Sequence, residues 1–133
     1  MAQPLRIALA GLGTVGAGVV ELLDANTDLI ERRAGRAIRI VAVSARDRTR
    51  DRGVDLSRFD WVDDTASFAT REDVDVVVEL IGGANGPALT LARTALGHAK
   101  ALVTANKAMI AHHGVELAEL AEASGAALKY EAA

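Results

Sequence analysis

The chain has 133 residues, no cysteine, 50% hydrophobic and 3% aromatic residues, and a formal charge of −3; this suits one folded core and excludes a disordered chain, a disulfide scaffold, a thiolate metal site and a cysteine nucleophile. No stretch reaches the ~20 apolar residues of a membrane span, and the opening MAQPLRIALAGLG has no leader-like run, so a soluble, cytoplasmic protein without a membrane partner is expected. Phe59, Trp61, Phe68 and Tyr130 are too scattered to form stacking platforms, and nucleic acid is not expected as a partner.

Leu5 to Ala10 (LRIALA) is an apolar run that stops at a glycine cluster, as a buried strand does. From Thr14 onward, Val15, Val19, Val20, Leu22, Leu23 and Ile30 recur at helical spacing and predict one helix that fades near Arg33-Ala34-Gly35. A second buried strand is predicted over Ile38 to Val43. Ser44 to Arg58 (SARDRTRDRGVDLSR) reads as a long functional loop, polar, heavily charged and glycine-containing. It belongs to a window, Arg32 to Arg58, in which nine arginines face only Asp47, Asp51 and Asp55, a local charge of +6 that leaves −9 for the rest. An acidic body with one basic belt points to an anionic ligand; a solvated arginine-rich loop is the alternative.

Asp64 to Arg71 suggests a short helix capped by Asp64 or Thr65, and Val74 to Leu80 (VDVVVEL) a strand that ends in Ile81-Gly82-Gly83. Pro87 stands where a helix can begin, Leu89, Leu91, Ala92, Ala95 and Leu96 give its apolar face, and Gly97 its stop. Ala101 to Thr104 predicts a strand, Val115 to Ala123 an amphipathic helix ended by Gly125, and Ala126 to Tyr130 a last strand. Helices alternating with strands that are apolar on both faces predict the α/β class: a doubly wound, mostly parallel sheet in a single domain. Ligands of such sheets bind beyond the carboxyl ends of the strands, which directs attention to the segments after Ala10, Val43, Leu80 and Val103.

Gly11-Leu12-Gly13-Thr14-Val15-Gly16 fits G-x-G-x-x-G between a predicted strand and a predicted helix, the context of a Rossmann-like dinucleotide-binding fold. Gly11 would permit the tight turn, Gly13 the approach of a pyrophosphate and Gly16 close helix packing, while Thr14 and Val15 offer amides at the helix N-terminus. Where an NAD site would place an acid after strand two, the chain has Val43-Ser44-Ala45-Arg46, with Arg48, Arg50 and Arg52 behind. Arginine can take a 2′-phosphate through paired charge-assisted bonds, so NADP is favoured over NAD, with Arg46 the leading contact and Ser44 the second. The alternative is an exposed Arg46 and a site open to both cofactors.

Ile81, Gly82 and Gly83 should line the cofactor groove, because paired glycines after a buried strand let the backbone approach a ligand. Glu79 is expected to be buried near the strand end or exposed on its edge, without a catalytic role. Thr104, Ala105, Asn106 and Lys107 follow a strand at the same sheet edge. Lys107, one of three lysines, either holds a carbonyl or carboxylate near a nicotinamide and helps move a proton, or faces water at a helix start. His112 and His113 point ~100° apart on a helix and do not make a metal pair. Asp63-Asp64 and Glu72-Asp73 read as caps and loop charges, and Phe59 and Trp61 as packing for the long loop.

GLGTVG at Gly11 to Gly16, ELIGG at Glu79 to Gly83 and TANK at Thr104 to Lys107, in this order and spacing, resemble the N-terminal NAD(P)-binding domain of the homoserine dehydrogenase family over essentially all 133 residues. The resemblance implies NAD(P)-dependent interconversion of L-homoserine and L-aspartate 4-semialdehyde, a step towards threonine, methionine and isoleucine. It makes Lys107 the catalytic residue and Asn106 a neighbour of the nicotinamide end. Glu131-Ala132-Ala133 resembles the start of the stretch into the family's next domain. That catalytic and dimerisation domain carries most substrate-binding residues, another active-site lysine and a monovalent cation, none of them within these residues. The expectation is therefore a cofactor domain of a longer, homodimeric enzyme, binding NADP(H) weakly and not turning over alone. Two other readings stand beside it: another semialdehyde or sugar dehydrogenase, and a stand-alone NAD(P)-binding regulatory module. A phosphorylating semialdehyde dehydrogenase would need a cysteine that these residues lack.

Overall fold

Six strands, β1 (Leu5–Ala10), β2 (Ile38–Ser44), β3 (Asp60–Trp61), β4 (Val76–Glu79), β5 (Ala101–Thr104) and β6 (Leu128–Tyr130), pair in parallel throughout in the order β3-β2-β1-β4-β5-β6. The computed structural model describes residues 3–47 and 50–130, so Arg48 and the Glu131-Ala132-Ala133 stretch lie outside the described residues. The chain builds outward from β1 to β2 and β3, then returns to β1's other side and builds outward again through β4, β5 and β6. The direction of winding reverses between β1 and β4, and a crevice at that switch point is where a doubly wound sheet binds its ligand.

Both faces of the sheet are covered, which is why its strands read as unbroken apolar runs. Ile7 and Leu9 of β1 join Ile40, Val43 and Leu56 and Val20 of the first helix on one face. Ala8 and Ala10 point to the other face, among Phe68, Leu91, Leu96, Leu102, Met109 and Leu117. The register slips between Ile7 and Ala8, which pair with Ile40 and Ala42, leaving Val41 as an inserted residue in β2.

Among the described residues, four α-helices and one 3-10 helix connect the strands: α1 (Thr14–Ala25), α2 (Thr27–Ala34), the 3-10 helix Thr65–Thr70, α3 (Pro87–Gly97) and α4 (Lys107–Ser124). The single helix expected from Thr14 to Gly35 is two. Asn26 donates from its side-chain amide to the Leu22 carbonyl at 2.9 Å, and the Thr27 hydroxyl donates to the Leu23 carbonyl at 2.8 Å. Side chains that satisfy the last carbonyls of one helix end it while the apolar spacing continues. Gly35, at φ +77°, stops α2 in the left-handed conformation.

Other differences have equally local causes. β3 lies inside a segment without strand periodicity and is only two residues long, too short to give any. α4 begins at Lys107 and not at Val115, because the Asn106 side chain caps it by accepting from the Met109 amide at 3.0 Å. β4 is confined to Val76–Glu79 and β6 to Leu128–Tyr130, each shorter than its apolar run. Asp64 is the cap of the 3-10 helix, accepting from the Ala66 amide. α3 starts at Pro87 as expected; past its end it is Ala99, at φ 60°, that takes the left-handed turn, not Gly97. No helix among the described residues is long and apolar enough to cross a membrane.

Candidate functional site

The carboxyl ends of β1, β2, β4 and β5 bring four segments to one edge: residues 11–16, 44–46, 80–83 and 104–107. The glycine loop is shaped by two close approaches. A Cβ on Gly11, whose φ is +99°, would lie 2.6 Å from the Leu80 carbonyl oxygen, and one on Gly16 would lie 2.0 Å from the Gly11 carbonyl oxygen. Neither position has room for a methyl group, so strand, loop and helix pack directly on backbone. Gly13 differs: a Cβ there meets nothing within 4 Å, because the loop opens outward. Gly13 precedes α1 without a side-chain cap, and α1 has no acidic residue in its first turn. Exposed Thr14 and Val15 follow, so the positive end of the helix dipole faces open space uncontested.

A cavity of about 490 Å³ runs from this loop towards β2 and β3, within the usual range for small-molecule sites. Its walls include Gly11, Gly13, Ser44 and Arg46, together with Leu80 and Ile81 from the end of β4. Ser44 is buried, and its carbonyl accepts from the Gly11 amide at 2.9 Å, fixing the end of β2 to the glycine loop. Arg46 is exposed on the wall.

Arg52 is held more firmly than its position behind Arg46 suggests. Its Nε donates to the Leu12 carbonyl at 2.9 Å, inside the glycine motif, and its guanidinium lies 5.8 Å from the Trp61 ring centroid. The arginine loop is thereby tied to the glycine loop, and Trp61 packs that loop as expected. Asp63, Asp64 and Thr65 also line the cavity, although their sequence reads as caps and loop charges. They arrive there because β3 pairs with β2 and delivers the following residues to the carboxyl edge; without β3, no sequence signal places them.

A second cavity of about 150 Å³ shares Leu80 with the first and lies on the other side of the glycine loop, lined by Val15, Glu79, Gly82, Ala105 and Asn106. Gly82 and Gly83 both have positive φ, at 90° and 84°, a conformation that side-chain-bearing residues resist. Glu79 is fully buried, the first of its two sequence options, and its carboxylate accepts from the Ile81 and Gly82 amides at 2.7 and 3.1 Å and from the Thr104 hydroxyl at 2.5 Å. Thr104 in turn accepts from the Asn106 amide at 3.0 Å, and the Asn106 side chain donates to the Gly83 carbonyl at 2.6 Å.

Lys107 is the first residue of α4, exposed and outside the walls of both cavities. Thr14, Gly16, Gly83 and Thr104 shape the loops without forming cavity wall. The rings of His112 and His113 are 6.3 Å apart and tilted by 50°, and the Nε2 of His113 lies 2.8 Å from the Asn85 side-chain oxygen.

Residues 11–131 match the family model described as homoserine dehydrogenase, NAD binding domain. The chain belongs to that family. The homoserine dehydrogenase of Helicobacter pylori is 42% identical over 122 residues, which cover 92% of this chain and 28% of that protein. That of Neisseria gonorrhoeae is 41% identical over 131 residues, 98% of this chain and 30% of that one. The chain thus spans less than a third of the length of these relatives. Among solved structures, the S. aureus homoserine dehydrogenase at pH 7.0 matches with a TM-score of 0.88 at 37% identity, covering 98% of this chain and 33% of that one. A hyperthermophilic archaeal homoserine dehydrogenase in complex with NADPH matches with a TM-score of 0.77 at 19% identity, a likeness of fold.

Proposed function

We propose that the chain is the cofactor-binding part of a homoserine dehydrogenase and serves the NAD(P)-dependent interconversion of L-homoserine and L-aspartate 4-semialdehyde. The observation that carries this reading is the bare N-terminus of α1 behind Gly13, opening between two cavities at the sheet's switch point. The donor set fits a dinucleotide: amides of Thr14 and Val15 suit a pyrophosphate, and Ser44 and Arg46 suit the ribose end with its 2′-phosphate, which favours NADP over NAD. The smaller cavity, between Val15, Gly82 and Asn106, suits the nicotinamide end.

A nicotinamide held in the smaller cavity would supply the hydride acceptor or donor for the alcohol–aldehyde couple. The chain's own residues orient and shield. Gly82 brings backbone, with no side chain, to the smaller cavity, while Ala105 and Asn106 close its far wall. Lys107, adjacent to Asn106 at the start of α4, is the cation that holds the substrate's oxygen and helps move its proton, once substrate is seated over the smaller cavity. The same proposal makes the chain one domain of a longer, homodimeric, cytoplasmic protein whose remaining part supplies most substrate contacts. The 28–30% of its relatives' length that the chain covers supports the longer protein.

Calorimetric titration with NADP+ and with NAD+ tests the reading. It predicts saturable one-site binding, tighter for NADP+, with no homoserine oxidation by the 133 residues alone. Absence of binding by either dinucleotide, or turnover at an enzyme-like rate, would contradict it.

A further inference from the structure

Glu79 is the one charged side chain among the fully buried residues of the described core. A carboxylate in such a place needs donors for its oxygens, and removing even one leaves a buried acceptor unsatisfied. Its three donors come from two segments: Ile81 and Gly82 follow β4, whereas Thr104 ends β5. Thr104 also receives the Asn106 amide, and Asn106 reaches back to the Gly83 carbonyl while capping α4 through the Met109 amide. The bonds close a ring that runs from Glu79 through Thr104 and Asn106 to Gly83 and back along the chain.

Glu79, Gly82 and Asn106, three members of that ring, form walls of the smaller cavity. A turn with two successive positive-φ glycines has wide conformational freedom of its own, so its single shape must be imposed from outside. The 490 Å³ cavity, with Ser44 and Arg46, meets the ring only at the Leu80–Ile81 step.

We propose that Glu79 is a positioning residue that acts through Thr104: the pair locks the Gly82–Gly83 turn to the start of α4 and so sets the pocket for the nicotinamide end of a dinucleotide, leaving the adenosine end unaffected. This rests on the dinucleotide reading above. The hydroxyl of Thr104 is the bridge, and its loss leaves one oxygen of Glu79 without its donor and the Asn106 amide without its acceptor.

The test compares two ligands on the full chain, its Thr104→Val and Glu79→Gln variants, and Thr104→Ser as the variant that keeps the hydroxyl. NADPH reaches both ends of the groove, whereas adenosine 2′,5′-bisphosphate has only the adenosine end. Thr104→Val should weaken NADPH about tenfold, the loss expected for one buried charge-assisted bond, while adenosine 2′,5′-bisphosphate changes less than about twofold. The Ile81 and Gly82 amides should exchange hydrogen faster in both Thr104→Val and Glu79→Gln, and Thr104→Ser should restore binding and exchange. Equal losses for the two ligands, or no loss for NADPH, would overturn the assignment. So would failure of both Thr104→Val and Glu79→Gln to fold, since the ring would then be a folding requirement. If the unmodified chain binds neither ligand, the dinucleotide reading itself fails and takes the positioning role with it, an outcome distinct from binding that the variants leave intact.

Discussion

The three glycines of the motif divide between two jobs. Gly11 and Gly16 are required by packing, since a methyl group at either would overlap a carbonyl, whereas Gly13 leaves space on the side where α1 begins. The motif spacing shows this division in the sequence, because only a strand-to-helix turn needs glycine at all three places. The proposed preference for NADP over NAD rests on Arg46. Arg46→Ala should weaken NADP+ by about tenfold or more and NAD+ by less than about twofold, as loss of a charge-assisted contact to a 2′-phosphate requires. Titration of both dinucleotides checks it, and equal losses would reduce Arg46 to a solvated side chain. Arg52 was legible only as one more member of the basic belt. Its bond to the Leu12 carbonyl depends on the path of the long loop, which the sequence pattern does not encode.

At the scale of elements, long apolar runs were readable and short or side-chain-determined ones were not. β1, β5 and α3 follow their apolar patterns to the residue. The break between α1 and α2 depends on hydrogen bonds from Asn26 and Thr27, which leave hydrophobic spacing undisturbed. The two-residue β3 exists because β2 offers it an edge, and missing it hid the approach of Asp63, Asp64 and Thr65 to the cavity.

The strand starts carry a prediction of their own. Before β4, Asp75 accepts from the Arg6 amide and from two guanidinium nitrogens at 2.9–3.1 Å, joining β1 to β4 at the end of the sheet away from the site. The hydrogen bond from the Arg6 side chain, the largest cause, holds the Asp75 carboxyl below its ordinary value. The native state therefore binds fewer protons at Asp75 than the unfolded chain. This contribution is complete above the ordinary aspartate pKa of about 3.9 and is lost as pH falls below it through the depressed native value. Asp75→Asn should lower stability at pH 7 by up to about 1 kcal/mol, as befits a half-exposed pair, and the gap to the unmodified chain should close in acid. Denaturant unfolding between pH 7 and pH 2.5 measures it; a gap independent of pH would remove the ion pair as its source.

For the whole molecule, parallel pairing and two covered faces make the carboxyl edge of the sheet the place where unusual residues collect. The reversal of winding between β1 and β4 then opens the crevice beside Gly11 and Leu80. Strand alternation in the sequence was enough to locate that edge. The buried ring around Glu79 depends on side-chain bonds between distant segments, which that alternation does not encode. On the proposed reading, one dinucleotide lies across this edge, with its phosphates at α1 and its nicotinamide end at the smaller cavity. Mapping backbone amide shifts during NADPH titration tests it most directly. The account predicts saturable shifts concentrated in residues 11–16, 44–46, 81–83 and 104–107, with the largest at Gly13, Thr14 and Val15. Shifts that do not saturate, or that gather on the outer surfaces of α3 and α4, would contradict it.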